Sequence, residues 1–210
     1  MPTGDGLADD NQHGPAGVSA RTAAIAEAAE AFHEAVFDLD ILLHVVAERI
    51  SRATGDFCSV ALVSPDGKRF QPLVAYHSDP MLIEDSRQFL GVSMDVEAAG
   101  VWVRVLKERR SLIIPIDPDH LPPEMAPHQV RHMKRWRVRE AALIPLIAHD
   151  KVVGGLNLNR LEGSPPFSPD DIELLESLGA RAARAIANAR LLQAHKQTTG
   201  ELEREVQADP

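Results

Sequence analysis

The chain has 210 residues, 44% of them hydrophobic and 25% charged, close to the averages for one globular domain with helical or flexible extensions. That composition excludes a fully disordered, collagen-like or membrane-embedded protein. With 22 basic against 31 acidic residues the formal charge is −9, which argues against nucleic acid as a partner, because a phosphate-binding surface needs a basic excess. The one cysteine, Cys58, excludes intramolecular disulfides and Cys-rich zinc sites. No run approaches the roughly 18 apolar residues of a transmembrane helix, and the N-terminus lacks the basic start and apolar core of a signal peptide, so a cytoplasmic protein with no membrane partner is expected.

Residues 1–18 mix Gly, Pro, Asp, Asn and Gln and are expected to form a disordered tail, since they offer too little apolar area to offset the entropy of ordering. Ser19 is a candidate N-cap for a first helix over 19–37, with Ile25, Ala28, Ala29, Phe32 and Val36 on one face. Asp38 caps a second helix, in which Leu39, Leu42, Leu43, Val46 and Ile50 repeat the pattern until Thr54-Gly55 closes it. The period then shortens to strands over 57–63 and 69–77, joined by the turn Ser64-Pro65-Asp66-Gly67.

The segment 79–93 is mixed, with a short strand around 92–96. A helix over 98–109 carries Val101, Trp102, Val105 and Leu106 on one face, and a short strand over 112–116 follows. Four prolines make 117–127 a loop. A helix over 128–135 leads to strands over 138–147 and 152–160, joined at His149-Asp150. Ser168, followed by Pro169-Asp170-Asp171, starts a long helix that runs past 200. Helices around one antiparallel sheet make this an α+β fold.

Three stretches, 42–77, 100–119 and 138–192, resemble a GAF domain, the small-molecule-binding and dimerising sensor module of signalling proteins. The third carries the most specific features: Val152-Val153-Gly154-Gly155-Leu156-Asn157-Leu158, then Phe167-Ser168-Pro169-Asp170-Asp171, then Ala185-Ile186-Ala187-Asn188-Ala189-Arg190-Leu191. The resemblance covers 38–192 and leaves 193–210 as a helical linker or tail. It implies a central antiparallel sheet of five to six strands flanked by helices, with long terminal helices, a segment 117–136 that closes over a ligand pocket, and a kinase, cyclase or phosphodiesterase as output partner. The chain departs from several branches of the family. A single buried thiol does not suit methionine-sulfoxide reduction, the stretch 126–138 has no cysteine for a covalent bilin, and the Asn-Lys-Phe-Asp-Glu set of cyclic-nucleotide binders is not evident. Neither ligand nor cofactor is identified by these residues.

The candidate ligand-binding residues are Tyr76, His77, Trp102, Asp117, His120, His128, His132, Met133 and Trp136. Trp102, Trp136 and Tyr76 are amphipathic aromatics suited to a cavity wall, with ordinary core packing as the plain alternative. His77 and Met133 would add polarity and adaptability. His128 and His132, four apart on one helix, could instead hold a haem or metal, with His120 or Asp117 as a third ligand. No catalytic constellation is present, so the chain is expected not to be an enzyme. On the last helix Leu178, Ala182, Ala185, Ala189 and Leu192 form a narrow seam expected to pair two subunits. A ligand-free dimerisation domain is the other reading.

Overall fold

Acidic and hydroxyl side chains set the helix starts. Asp38 Oδ1 accepts from the Ile41 amide at 3.1 Å and Asp79 Oδ1 from the Met81 amide at 2.9 Å. Ser168 and Asp171 cap one another reciprocally: the Asp171 amide donates to the Ser168 hydroxyl at 3.1 Å and the Ser168 amide to the Asp171 carboxylate at 2.9 Å. The computed structural model describes residues 15–123 and 125–208, with side chains between 21 and 199. Its elements are α1 (Pro15–Glu34), α2 (Leu39–Thr54), β1 (Phe57–Val63), β2 (Arg69–Tyr76), α3 (Pro80–Ser86), β3 (Met94–Asp95), a 3₁₀ turn (Val96–Ala98), α4 (Val101–Glu108), β4 (Leu112–Pro115), α5 (Pro127–Arg135), β5 (Val138–Ala148), β6 (Lys151–Leu161) and α6 (Pro169–Ala208).

The strands form one six-stranded antiparallel sheet in the order β3-β2-β1-β6-β5-β4. The α+β class read from the sequence holds. At the β5–β6 turn both His149 (φ 48°) and Asp150 (φ 58°) take left-handed backbone, the conformation that matches a two-residue turn to the twist of its strands. Among the described residues no helix is long and apolar enough to cross a membrane.

Some boundaries differ from the sequence expectation. The first helix begins at Pro15, so Ser19 lies within it, and it ends at Glu34. The remaining tail residues, 1–14, lie outside the described residues. Part of 79–93 is helix α3, whose Asp79-Pro80 start is a cap followed by proline at the first helical position. Pro127 opens α5 in the same way and does not belong to the preceding loop.

Alternation along the strands divides the sheet between two layers. Cys58, Val60 and Leu62 of β1, Leu156 and Leu158 of β6, and Ile144 and Leu146 of β5 pack with α1, α2 and α6. That layer absorbs the seam expected to pair two subunits. Leu178, Ala182 and Ala189 are fully buried in the monomer core and Ala185 packs against it, leaving Leu192, 36% exposed, as the member facing solvent. The small side chains let α6 approach the sheet closely, so that face is not free to meet a second subunit. Cys58 is buried in the same layer, and burial pushes its thiol pKa up, away from reactivity.

On the opposite face Ala61, Val63 and Phe70 pack under α4 through Trp102, Leu106 and Ala99. Gly154 and Gly155 serve close approach. A Cβ on Gly154 would sit 2.2 Å from the Ala61 carbonyl oxygen, and one on Gly155 would sit 2.3 Å from the Trp102 ring. Replacing Gly154 with alanine is therefore expected to force the β1–β6 ladder apart and destabilise the fold by about 1–3 kcal/mol. The urea midpoint of the variant measures this, and a midpoint equal to that of the parent would show that the ladder relaxes freely.

Candidate functional site

The end of the sheet not covered by α4 lies beneath α5. Phe57 on β1 is opposite Asn159 on β6, which is opposite Ala141 on β5, so the three side chains stand side by side on one face. His132 projects from α5 toward them, its ring 5.6 Å from that of Phe57 and 5.1 Å from that of Phe89. His128, one turn earlier, packs on Phe89 at 5.1 Å. His132 is 4% exposed, and burial pushes its imidazole down to about 4, with the charge of Asp85 opposing the shift. The ring is thus neutral at physiological pH. Its Nδ1 has no hydrogen-bond partner, and neither has Oδ1 of Asn159, which is 2% exposed.

Between α3 and α5 runs a cleft of about 450 Å³ lined by Asp85, Gln88, Val130, Arg131, His132, Lys134 and Arg135. Side chains strap the two helices across it. Trp136 Nε1 donates to Asp85 Oδ2 at 2.7 Å and Arg135 to Asp85 Oδ1 at 3.0 Å, while Arg131 donates to Gln88 Oε1 at 3.2 Å. Asp85 is the centre of this strap.

The candidates read from the sequence are distributed unevenly. Those on or ending α5 (His128, His132, Met133 and Trp136) come together here, with Met133 half-buried. Tyr76 does not: it packs with the α2 layer, and its hydroxyl accepts from the Arg52 guanidinium at 3.3 Å. Its position opposite Cys58 in the β1–β2 ladder points it to the helical face. The Nδ1 atom of His77 accepts from the Asp79 amide at 3.0 Å, shaping the turn into α3. Trp102 lies 4.9 Å from Phe70 and belongs to the packing under α4.

Asp117 and His120 pair with each other at 2.8 Å on the exposed loop, and the Asp119 amide with His120 holds the Asp117 carboxyl below the ordinary range. That loop is tethered to the start of β5: Asp119 accepts twice from Arg137, at 2.8 and 3.0 Å. Of the segment 117–136, it is α5 that covers the sheet face. Among the described residues no set of three His, Cys, Asp or Glu side chains is placed to hold a metal ion, and both α5 histidines pack against Phe89.

Sequence reading missed Phe57, Asp85, Gln88, Phe89 and Asn159. One signal was available, since Asn157 and Asn159 put polar side chains at period two beside the apolar Leu156 and Leu158 of the same strand.

Behind the site, the next residues along β1 and β6 form a buried ion pair. Arg160 donates to both oxygens of Asp56, at 3.1 and 2.9 Å, to Asp171 in the first turn of α6 at 3.1 Å, and to the Pro165 carbonyl at 3.1 Å. Its guanidinium lies 3.8 Å above the Phe167 ring. Burial penalises the Arg160 charge, but its hydrogen bonds and the charges of Asp56 and Asp171 outweigh this and hold its pKa above the ordinary value. Burial pushes Asp56 up despite its bonds to Arg160.

This arrangement of a curled sheet between a bundle of terminal helices and a smaller covering layer accompanies a match of residues 38–186 to the GAF domain. The chain belongs to the GAF domain family. GAF domains are sensor modules of signalling proteins. Among solved structures, the GAF domain of an Acinetobacter phosphoenolpyruvate-protein phosphotransferase superposes with a TM-score of 0.58 at 17% identity, over 85% of this chain and 96% of that one. The GAF domain/HD domain protein from Geobacter sulfurreducens gives 0.59 at 17% identity, over 74% and 96%. A far-red absorbing protein with bound biliverdin gives 0.57 at 10% identity, over 80% and 99%. At these identities the likeness concerns the fold. No curated protein matches the chain in sequence.

Proposed function

We propose that this chain is a cytoplasmic sensor domain that takes a small molecule beneath α5 and passes the event to its terminal helices in a homodimer. The observation that carries the reading is the strapped helix α5 lying over a buried face with unsatisfied polar atoms. Native proteins rarely leave such atoms without a use. The structural neighbour with bound biliverdin supports a ligand role for this fold.

A route to the helices is built into the strands. Phe57 and Asn159 face the site, while Arg160, the chain neighbour of Asn159, joins Asp56, the neighbour of Phe57, to Asp171 at the root of α6. A ligand that shifts β1 against β6 would move both ends of that linkage. We place subunit pairing at the end of the bundle where α6 leaves the sheet. There Leu191 is 65% exposed, and Phe37 and Ile41, at the start of α2, are 71% and 55% exposed. A kinase, cyclase or phosphodiesterase output partner would couple through α6.

Native mass spectrometry on the protein as purified, followed by hydrogen exchange with and without the low-molecular-mass fraction of a cell extract, tests this. The expected results are a dimer, retained mass of a few hundred daltons or exchange protection in α5, and an accompanying change at the start of α6. A bare dimer whose α5 exchanges identically in both conditions would leave a dimerisation domain without a ligand.

A further inference from the structure

Elsewhere among the described residues, buried polar side chains are paired. Ser51 donates to the Asp56 carbonyl at 2.6 Å, Ser86 to the Ile83 carbonyl at 2.8 Å, and Arg160 and Asp56 satisfy one another. Among the described residues two buried polar side-chain atoms have no partner, Nδ1 of His132 and Oδ1 of Asn159, and both residues neighbour Phe57: His132 through a ring contact at 5.6 Å, Asn159 as its cross-strand partner. Leaving each unpaired carries a desolvation cost, so among the described residues the fold gives up stability of this kind beneath α5.

Their chemistry narrows what would repay that cost. An amide oxygen accepts hydrogen bonds and cannot donate, and a neutral imidazole offers one lone pair and one N–H. The walls around them are the faces and edges of Phe57 and Phe89, which favour a flat ring. Asp85, the nearest carboxylate on the cleft wall, is already engaged by Arg135 and Trp136, so an entering cation would find no free counter-charge; an anion would meet the amide oxygen.

Resting on the sensor reading above, we infer that the site beneath α5 selects a flat, uncharged, aromatic-sized molecule that donates a hydrogen bond to Asn159 Oδ1 and pairs with the ring of His132. His132 also lines the α3–α5 cleft, together with Arg131, Lys134 and Arg135. Donor recognition of this kind discriminates strongly, because an analogue without the donor leaves the Asn159 oxygen unpaired again.

Indole and 1-methylindole differ in the N–H and little else, and serve as probes. With protein labelled at asparagine and histidine nitrogen, indole is expected to shift the Asn159 side-chain amide and the His132 ring signals. It should bind at least about tenfold more tightly than 1-methylindole, the equivalent of one hydrogen bond. In Asn159→Leu the preference should shrink to about twofold or less, while the ligand-free variant becomes no less stable than the parent, since an unpaired atom has been removed. His132→Phe, which keeps the Asn159 oxygen, should retain the preference for indole and should likewise be no less stable than the parent.

Equal affinity for the two probes would overturn donor recognition and leave the sensor reading intact. If neither probe perturbs α3, α5 or Asn159 up to its solubility limit, and both variants are destabilised, the two atoms hold a buried water and the ligand site does not lie here.

Discussion

Replacing Arg160 by methionine is expected to lower stability by about 3–5 kcal/mol, the cost of leaving a carboxylate buried without its counter-charge. Asp56 and Arg160 are both almost fully buried, and the guanidinium also holds Asp171 and the Pro165 carbonyl. Asp171 would survive the loss, because Ser168 keeps it bonded through both amide and hydroxyl. Asp56 would not, as the Thr54 side chain would be the remaining hydrogen-bond partner of its buried carboxyl. The double variant Asp56→Leu/Arg160→Met should regain most of the lost stability, since well-packed apolar groups commonly replace a buried pair at little net cost. Urea unfolding of parent, single and double variants measures all three. A double variant as unstable as the single one would mean that the pair itself, and not the orphaned charge, sustains the junction of β1, β6 and α6. Because that junction is the proposed link to the output helix, the folded double variant should also lose any ligand-dependent change in exchange at the start of α6 while keeping ligand binding.

The fold was legible because its signals are local. The 3.6-residue period of α2, the turn at Ser64–Gly67, the His149-Asp150 hairpin and the capped start at Ser168 each point to one element and agree with the structure. Where two local signals competed, the period misled. The seam along α6 has the spacing of a coiled coil, yet the same spacing serves a helix laid flat on a sheet, and burial of Leu178, Ala182 and Ala189 assigns it to the second use. The site was legible only where it lies on α5. Its other half comes from Phe57, Asp85, Phe89 and Asn159, placed together by strand register and by the approach of α3 to α5, which no linear spacing encodes. Tyr76 shows the complementary limit. Its chemistry suits a cavity, but pairing opposite Cys58 turns it to the other face, and a shift of one residue in register would have reversed that.

Acid is expected to weaken the fold through His132, and the sign follows from the direction of its shift. In the unfolded chain the imidazole titrates near its ordinary value of 6.5, whereas in the folded protein burial holds it at about 4. Above pH 6.5 both states are neutral at this ring and it contributes no pH dependence. As pH falls below 6.5 the unfolded chain takes up a proton that the native state refuses, so stability drops, and the drop is complete once pH passes below the folded value near 4. Its size is about 3 kcal/mol. Carboxylates titrate over the lower part of the same range, so the quantity to measure is the difference between parent and His132→Phe in urea stability from pH 7 to pH 4.5. The parent should lose more, with the two curves converging toward neutrality. Parallel curves, or a ring-proton titration with a midpoint near 6.5, would show that the ring reaches water in solution and that α5 does not seal the face. The same linkage bears on the ligand. Protonation would put a charge beside Phe57 and Phe89 and remove the lone pair of the ring, so a donor-bearing ligand that uses that lone pair should bind more weakly as pH approaches 4, while one that only fills the cavity should follow the fold alone.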